Sequence, residues 1–308
     1  MTLEQLNRRI KTTSDLGEIV NTMKMLSSVS VGQYEKALFS LTQYAHTVQD
    51  AFHGLFTQDF FKYEPPKIPT QNPKILSILI GTDNGLVGKF NRTLFNFSQE
   101  YLHSLSPQGE KYFITVGKRM GVLAQINHLT TKAGYAGANS VKEIAQSATL
   151  LLTKINEVVT AHKVDLVYLF NNRKKGTTAF IPQARQLIPL PQEQMSQLRR
   201  KKWDGKTLPF ISADKDELFS ALLHEYLIVT LSHDLTSSLT SEHYTRMIHM
   251  QEAQRNINDS LDAFNLEYQQ LRQTQITDEL IDIVSGAEEM NKKKIQSPLD
   301  FSAKKAVK

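Results

Sequence analysis

The glycine-rich stretch GTDNGLVGKFN, residues 81–91, contains the residue types that come nearest to a phosphate-binding loop. A loop of the Walker type needs glycine where the backbone approaches the phosphates, and serine or threonine where a hydroxyl binds magnesium. Asp83 and Phe90 occupy those two positions. Both requirements fail, and no G-x-G-x-x-G motif of a dinucleotide site follows a predicted strand. We therefore expect no cofactor-binding residues.

The other reactive residue types also lack the spacing that catalysis or metal binding requires. The nine histidines are scattered without an H-E-x-x-H pair, and no G-x-S-x-G nucleophile elbow occurs. The chain has no cysteine, which excludes disulfides, thiolate metal sites and cysteine nucleophiles. We expect no catalytic residue, no metal ligand and no cofactor, so the function must depend on contacts with other molecules.

The N-terminal segment, from Leu3 to Leu55, carries one heptad pattern in which steps of three and four alternate without interruption. This spacing predicts a long helix with a single seam, wound against a partner helix in a left-handed coiled coil. Thr2 and Gln5 have the spacing of a capping box at its start. The seam positions are Leu3, Leu6, Ile10, Thr13, Gly17, Val20, Lys24, Ser27, Val31, Tyr34, Leu38, Leu41, Ala45, Val48, Phe52 and Leu55.

A second seam of the same kind occupies residues 214–290, a stretch without proline and with a single glycine, Gly286. It includes Phe219, Leu222, Tyr226, Val229, His233, Thr236, Thr240, His243, Met247, Met250, Ile257, Leu261, Phe264, Tyr268 and Leu271. Each seam includes one stretch in which the seam residues have small or polar side chains. Two interpretations remain open: a weak zone of an ordinary coil, or a part that faces another protein and must not be held tightly.

Between the two seams, predicted strands alternate with predicted helices. Strands are expected at 74–80, 111–116 and 165–170, with a further strand or strand pair at 177–190. Helices are expected at 91–105, 117–126 and 140–162. This alternation is typical of an α/β layer domain with a largely parallel sheet. The proline-rich residues 63–69 mark a boundary before the domain, and residues 192–210 form a polar, basic loop after it.

These elements predict four parts: an N-terminal coiled-coil helix (1–57), a Rossmann-like foot domain (70–192), a C-terminal coiled-coil helix (212–290) and a basic tail expected to be disordered (291–308). A chain that enters and leaves one domain with matching seams makes an antiparallel coil. The C-terminal arm is longer, so residues 270–290 should extend past the first helix. Apolar residues there, such as Ile276, Leu280 and Ile283, predict an enclosing sleeve made by other subunits.

Charge and hydropathy restrict the possible partners. The net charge of +5 comes from the tail, because the residues after Met290 include six lysines and a single acidic residue, Asp300. The rest of the chain has no net charge. Without a basic face interleaved with aromatic residues, we expect no nucleic-acid binding. No apolar run is long enough to span a bilayer, and residues 1–13 lack an apolar signal region, so we expect neither direct membrane insertion nor secretion.

Three segments resemble the gamma subunit of F-type rotary ATP synthases. They are residues 19–28 (IVNTMKMLSS), 82–91 (TDNGLVGKFN) and 241–247 (SEHYTRM), the last continuing in similar positions to Gly286 and Ala287. The resemblance spans residues 1 to 290 in the family's order. It implies an antiparallel coiled coil with an inserted Rossmann-like domain, and a chain that is the rotor of the central stalk.

The resemblance also implies the partners. The coil would turn inside a ring of alternating alpha and beta subunits, and the foot would rest on the epsilon subunit and on the membrane rotor ring of c subunits. The chain would be a peripheral, non-catalytic subunit at the cytoplasmic face of a bacterial or equivalent inner membrane, where it couples ion flow to ATP synthesis or hydrolysis. The coupling ion, proton or sodium, is chosen by membrane subunits outside this sequence.

The resemblance assigns roles to individual residues. Torque and bearing contacts with the ring would come from Met23, Lys24, Arg246, Met247, Gln273, Thr277, Glu279 and Ile283, and the foot loop would be formed by Asp83, Gly85, Leu86, Gly88 and Asn91. The sequence departs from the family at Ser30, where lysine is frequent, and at Asn84, where arginine is frequent. The basic tail lies beyond the family's usual end. A stand-alone coiled-coil tether and a Rossmann-type enzyme are the alternatives.

Overall fold

The computed structural model describes residues 2–56, 69, 72–176, 178–191, 196, 210–212 and 214–295. Its helices are α1 (Leu3–Phe56), α2 (Phe90–Leu105), α3 (Lys118–Ile126), α4 (Val141–His162) and α5 (Lys215–Ile295). Its strands are β1 (Ile75–Ile80), β2 (Lys111–Val116), β3 (Thr131–Tyr135), β4 (Leu166–Lys175) and β5 (Thr178–Ile188). The mixed α/β class with long terminal helices confirms the predicted fold class.

The described residues fall into two compact units. The first unit combines the start of the chain, up to Asn21, with residues from Glu252 onward. The second unit runs from Thr22 to Gln251 and contains the sheet.

The sheet of the second unit has the strand order β3-β2-β1-β4-β5. Strands β1 to β4 pair in parallel, and β5 pairs antiparallel with β4 at one edge. All six residues of β1 are buried, as expected for a central strand that is covered on both faces. Leu94, Phe113 and Met120 pack against one face, whereas Ile144, Leu151 and Leu231 pack against the other. The sheet thus lies between α2 and α3 on one side and α4 and α5 on the other.

Helices α1 and α5 pair antiparallel in each unit. In the first unit, the guanidinium of Arg9 lies 4.8 Å from the ring centroid of Phe264. A Cβ atom at Gly17 would lie 3.3 Å from Cγ2 of Ile257, so the two backbones approach closely there. In the second unit, the ring of Phe52 meets that of Phe219 edge-on at 5.9 Å. In both units, residues that lie later in α1 contact residues that lie earlier in α5, which is the antiparallel arrangement.

Burial follows the predicted heptads. All sixteen seam positions of α1 are buried or half-buried, and so are the fifteen seam positions of α5. The predicted capping box is present, because the Thr2 N–H donates to Gln5 Oε1 at 3.1 Å and the Gln5 N–H donates to Thr2 Oγ1 at 3.3 Å. The seam therefore reflects packing within the chain.

The structure differs from the sequence predictions at two places. Strand β3 was not predicted, because its sequence TKAGY has neither apolar alternation nor a buried run. Helix α5 continues to Ile295, past the predicted end at residue 290. Of the alternatives left open for 177–190, the structure has a single strand, which is antiparallel to β4. In the polar stretch of the C-terminal seam, Thr236 and Thr240 are buried and His243 stacks on Tyr34 of α1.

Three predicted segments fall on residues that the structure leaves undescribed. The proline-rich boundary at 63–69 is described only at Pro69, and the basic loop at 192–210 only at Ser196 and Phe210. Of the predicted tail, residues 296–308 lie outside the described residues. The predicted four-part division of the chain therefore stays a prediction.

Candidate functional site

The loop that follows β1 is held by its own polar side chains. Asn91 Oδ1 accepts the Thr82 N–H at 3.0 Å, and Asn91 Nδ2 donates to Thr82 Oγ1 at 2.9 Å. Asp83 Oδ1 accepts the N–H of Lys118 at 2.8 Å and that of Gly137 at 3.1 Å. The Asp83 carboxylate thus lies at the N-terminus of α3, where the helix dipole favours negative charge. These bonds fix the loop to two neighbouring connections of the sheet domain.

The same loop contacts α5 through a buried arginine. Arg246 is only 6% exposed, and its Nη2 lies 2.5 Å from Oε1 of Glu242, one turn earlier on the same helix. Nε and Nη2 of Arg246 also donate to the Gly85 carbonyl, each at 3.4 Å. The ion pair within α5 holds the guanidinium in place, and the guanidinium donates the two long bonds that reach the loop.

Gly88 provides the second point of contact between loop and helix. Its φ is +56°, in the left-handed region that favours glycine. A Cβ atom there would lie 2.6 Å from Nε2 of His249, which is closer than real side chains approach. Glycine is therefore favoured at this position both by the backbone conformation and by the nearby α5 side chain. We call Gly85, Gly88, Glu242, Arg246 and His249 together the latch.

Aromatic and titratable groups surround the latch. His243 stacks on Tyr34 of α1 with 5.4 Å between ring centroids, and Arg246 Nη1 lies 3.4 Å from His243 Nδ1. Burial, with a further contribution from the Arg246 charge, lowers the pKa of His243 to about 4. The neutral imidazole can then accept the arginine N–H. Burial raises the pKa of Glu242, and the Arg246 charge opposes this shift.

A second polar tie fastens the sheet to α5 near Asp234, whose side chain is fully buried. Arg185 of β5 reaches it with Nε 2.7 Å from Asp234 Oδ2, and His233 Nδ1 lies 3.1 Å from Oδ1. Asn171 of β4 donates to the Asp234 carbonyl at 3.0 Å. The carboxylate and the backbone of one helical turn are thus both held by the antiparallel edge of the sheet.

The end of α5 in the first unit has the opposite character. From Arg272 to Met290 every residue is exposed. This stretch includes six large apolar side chains: Ile276, Leu280, Ile281, Ile283, Val284 and Met290. An apolar surface of this size on one helix is typical of a protein interface.

The predicted site residues divide between these two environments. The structure brings Arg246 together with the foot-loop residues Gly85 and Gly88 at the latch, and it fixes Asp83 and Asn91 inside the sheet domain. Leu86 is exposed at the tip of the loop with φ +63°. Met23, Lys24 and Met247 are half-buried along the coil, whereas Gln273, Thr277, Glu279 and Ile283 are exposed on the end of α5. Contacts of these residues with other subunits stay predictions.

Sequence reasoning missed Glu242, His249 and the Asp234–Arg185 pair. A signal for Glu242 was present, because it precedes Arg246 by four residues and would face it on a helix. No such signal joined Arg185 to Asp234, which lie 49 residues apart.

The described residues hold no group of three His, Asp or Glu side chains that could bind a metal ion. Among the same residues, no helix has both the length and the apolar character needed to cross a membrane.

Comparison with known proteins identifies the family. The family model described as ATP synthase matches residues 2–290. The ATP synthase gamma chain of Hydrogenobaculum sp. (strain Y04AAS1) is 27% identical over 284 residues, covering 89% of this chain and 93% of the relative. The gamma chain of Clostridium perfringens (strain 13 / Type A) is 26% identical over 288 residues, covering 93% and 97%.

Solved structures share the fold. A chain in the mitochondrial ATP synthase of Euglena gracilis, in an OSCP/F1/c-ring assembly, superimposes with a TM-score of 0.64 at 16% identity and covers 98% of both chains. A second chain, from the rotor of the same enzyme, gives 0.59 at 17% identity over 89% of this chain and 99% of that one.

The chain has two long helices that pair antiparallel and a mainly parallel sheet inserted between them. The relatives match this arrangement over nearly the whole chain, and it defines a class of rotor subunit. The chain belongs to the ATP synthase gamma-subunit family. It is a subunit of the central stalk of a rotary ATP synthase.

Proposed function

We propose that this chain is the rotating shaft that couples ion flow through a membrane ring of c subunits to ATP synthesis or hydrolysis in a ring of alpha and beta subunits. The chain itself supplies no catalytic group; the reaction takes place on the surrounding ring. The observation that carries the proposal is the exposed apolar end of α5, residues 272–290, which the described part of the chain leaves uncovered. A sleeve formed by the alpha and beta subunits would cover it.

The sheet domain is the proposed foot, which rests on the c ring and the epsilon subunit at the cytoplasmic face of the membrane. A foot that receives torque must pass it to the coil without slipping. The latch and the Asp234 tie serve this purpose, because both join strands or loops of the sheet directly to α5 through buried charged groups. We assign Arg246 this internal role, in addition to the ring contact that the resemblance implies.

The bearing contacts come from side chains that the coil leaves exposed or half-buried. Met23, Lys24 and Met247 would meet the ring beside the sheet domain, and Gln273, Thr277, Glu279 and Ile283 would meet it along the end of α5. Thr277 Oγ1 is bonded to the Gln273 carbonyl at 2.9 Å within its own helix. A hydroxyl satisfied in this way presents a methyl group to a partner, which suits a surface that must slide.

Co-expression with the alpha and beta subunits tests the proposal, followed by size-exclusion chromatography and an ATPase assay on the eluted complex. We expect one copy of this chain for each six-subunit ring, and hydrolysis that depends on its presence. Elution of the chain alone, without effect on hydrolysis by the ring, would overturn the shaft function and favour the tether.

A pair of variants tests the sleeve. Ile283→Asp places a charge where the sleeve would exclude water, and an unpaired buried charge is costly. We expect loss of the chain from the complex. Ile126→Asp on α3 is the matched control, because Ile126 is 67% exposed and Ile283 68% exposed. Equal retention of both variants in the ring would contradict the sleeve.

The basic tail is the part of the chain beyond the family match. We propose that it reaches the far end of the ring and modulates hydrolysis. Deletion of residues 291–308 should change the ATPase rate of the assembled complex. An unchanged rate together with unchanged assembly would leave the tail without this function.

A further inference from the structure

A cavity of about 360 Å³ opens at the carboxyl end of the parallel sheet, between β2, α4 and α5. In open parallel sheets, ligands bind in crevices outside the carboxyl ends of the strands. The cavity lies apart from the latch residues and from the exposed end of α5. The function proposed above therefore leaves it unassigned.

The floor and the rim of the cavity differ in chemistry. Val116, Leu151 and Leu235 form the floor and are nearly inaccessible to solvent, since they belong to the core of the sheet domain. Tyr135, Asn139, Glu143, Gln146 and Ser147 contribute polar groups, and Leu150 is an exposed apolar side chain at the edge. A ligand would therefore need an apolar body for the floor and a polar head for the rim.

The charge at the rim is negative. Glu143 is the one acidic residue among the described lining residues, and none of them is Lys, Arg or His. Its Oε2 accepts the Asn139 N–H at 2.9 Å. Its other oxygen, Oε1, makes no hydrogen bond within the described part of the chain. This oxygen can accept a bond from a ligand.

Further carboxylates stand behind the cavity wall. Asp83 accepts the N–H of Gly137, a lining residue, and a Cβ atom on Gly137 would lie 3.6 Å from Asp83 Oδ2. The pKa of the Tyr34 hydroxyl is raised by burial and then by the charges of Glu242 and Glu143, so both carboxylates act on this part of the domain. No basic residue belongs to the described lining: Arg246 pairs with Glu242, Lys142 is exposed, and Lys154 pairs with Glu157, although its charge also acts on Tyr135 of the lining.

We propose that the cavity binds a small cationic amphiphile, a primary ammonium or guanidinium group on a short aliphatic body. The aliphatic part lies on Val116, Leu151 and Leu235, and the cation donates to Glu143 Oε1. Glu143 is exposed at the rim, so its carboxylate can reach a cation at the mouth of the cavity, and a charge-assisted hydrogen bond is stronger than a neutral one. Because Leu235 belongs to α5 and Glu143 to α4, the occupant bridges the sheet domain and the shaft helix, and it stabilises their packing by mass action.

Isothermal titration calorimetry on the full chain tests the proposal with three probes of equal length: n-hexylamine, n-hexanol and n-hexanoate. We expect saturable binding of one hexylammonium per chain, binding about threefold weaker for hexanol, and no binding of hexanoate, because the last two lack the cation that the exposed Glu143 attracts. Hexanoate binding as tightly as hexylamine would overturn the charge assignment. Absence of binding by all three would show that the cavity is not a ligand site.

Three variants locate the binding. Glu143→Gln keeps an acceptor for the Asn139 N–H but removes the charge, and should weaken hexylamine binding about threefold while leaving hexanol binding unchanged. Glu157→Gln lies on the same helix outside the cavity and should leave both affinities unchanged. Ser147→Phe fills the cavity and should abolish binding of both probes while the circular dichroism spectrum stays that of the parent. Hexylamine binding that survives Glu143→Gln and Ser147→Phe would overturn the proposed site.

Discussion

Between Leu227 and Met250 every side chain of α5 is buried or half-buried, whereas between Arg272 and Met290 every side chain is exposed. The first stretch contains Asp234, Glu242, Arg246 and many serines and threonines, and the second contains six large apolar residues. The first stretch also contains apolar residues such as Leu227 and Leu231, so the two stretches differ in burial more than in apolar content. In the first stretch the sheet domain and α1 cover both the apolar and the polar side chains. In the second stretch the described part of the chain covers none of the six apolar side chains, which is typical of a surface that another protein contacts.

Replacing a large apolar residue by aspartate in each stretch tests this comparison most directly. Leu231 is 0% exposed in the core of the sheet domain, and Ile283 is 68% exposed. Leu231→Asp should lower the free energy of unfolding of the isolated chain by about 5 kcal/mol, because it buries an unpaired charge. Ile283→Asp should change it by less than about 0.5 kcal/mol. Urea denaturation followed by circular dichroism measures both; similar losses would mean that the end of α5 is covered in the free chain.

The buried ion pair of the latch should produce the next largest effect. Glu242→Ala leaves the Arg246 charge buried without its partner and should cost about 3–5 kcal/mol in urea denaturation. Glu157→Ala is the matched control, since it removes an i,i+3 pair with Lys154 that is largely exposed. That change should cost less than about 1 kcal/mol. If the two variants were equally stable, the buried Glu242–Arg246 pair would contribute no more than an exposed pair.

Gly88 and Gly176 have nearly equal backbone conformations. Comparing alanine variants at the two positions therefore separates the cost of backbone strain from the cost of the close contact at the latch. Gly88 has φ +56° and lies against His249, whereas Gly176 has φ +55° and a Cβ atom added to it would meet nothing within 4 Å. Gly176→Ala should cost about 1–2 kcal/mol from the backbone alone. Gly88→Ala should cost about 1 kcal/mol more, because the His249 ring must also move. Equal losses in thermal unfolding would show that His249 yields without cost.

The smallest predicted effect is a pH dependence due to His243. Its pKa is lowered in the folded chain from 6.5 to about 4, so the unfolded chain binds more protons between these values. Stability from this group is therefore complete above pH 6.5 and declines as the pH falls towards 4, by at most about 1.4 kcal/mol per pH unit. Glu242, whose pKa is raised, contributes with the opposite sign above its ordinary value. His243→Gln should flatten the decline between pH 6.5 and 4, and an unchanged profile would contradict the burial of this histidine.

Periodicity made the coil and most of the sheet predictable. The α1 heptads and the apolar runs of β1 and β4 each repeat one simple burial pattern, so their elements were located to within a few residues. Strand β3 escaped because its residues are half-buried or exposed at the edge of the sheet. The latch escaped for a different reason. Its members Gly85 and Arg246 are 161 residues apart, and only the folded chain brings them together.

The polar stretch of the C-terminal seam shows that a hydrophobicity pattern alone does not predict which residues are buried. Thr236 and Thr240 look like weak coil positions, yet both are buried and each donates its hydroxyl to a carbonyl four residues earlier. Their polar groups are satisfied within α5, so their methyl groups can pack against neighbours. The seam spacing locates these residues on one face of the helix, but only the folded chain shows that they are buried.

The pairing of α1 with α5 in the first unit also affects how the chain folds during its synthesis. Gly17 packs against Ile257, and Arg9 lies over Phe264, so each contact joins the start of the chain to its last helix. During synthesis the start of α1 therefore leaves the ribosome with an apolar seam whose partner has not yet been translated. Contacts of such long sequence separation form slowly and leave hydrophobic surface open to aggregation. The sheet domain also lacks part of its core, including Leu231 of α5, until the last helix is made, so the nascent chain should depend on chaperones until that helix is released.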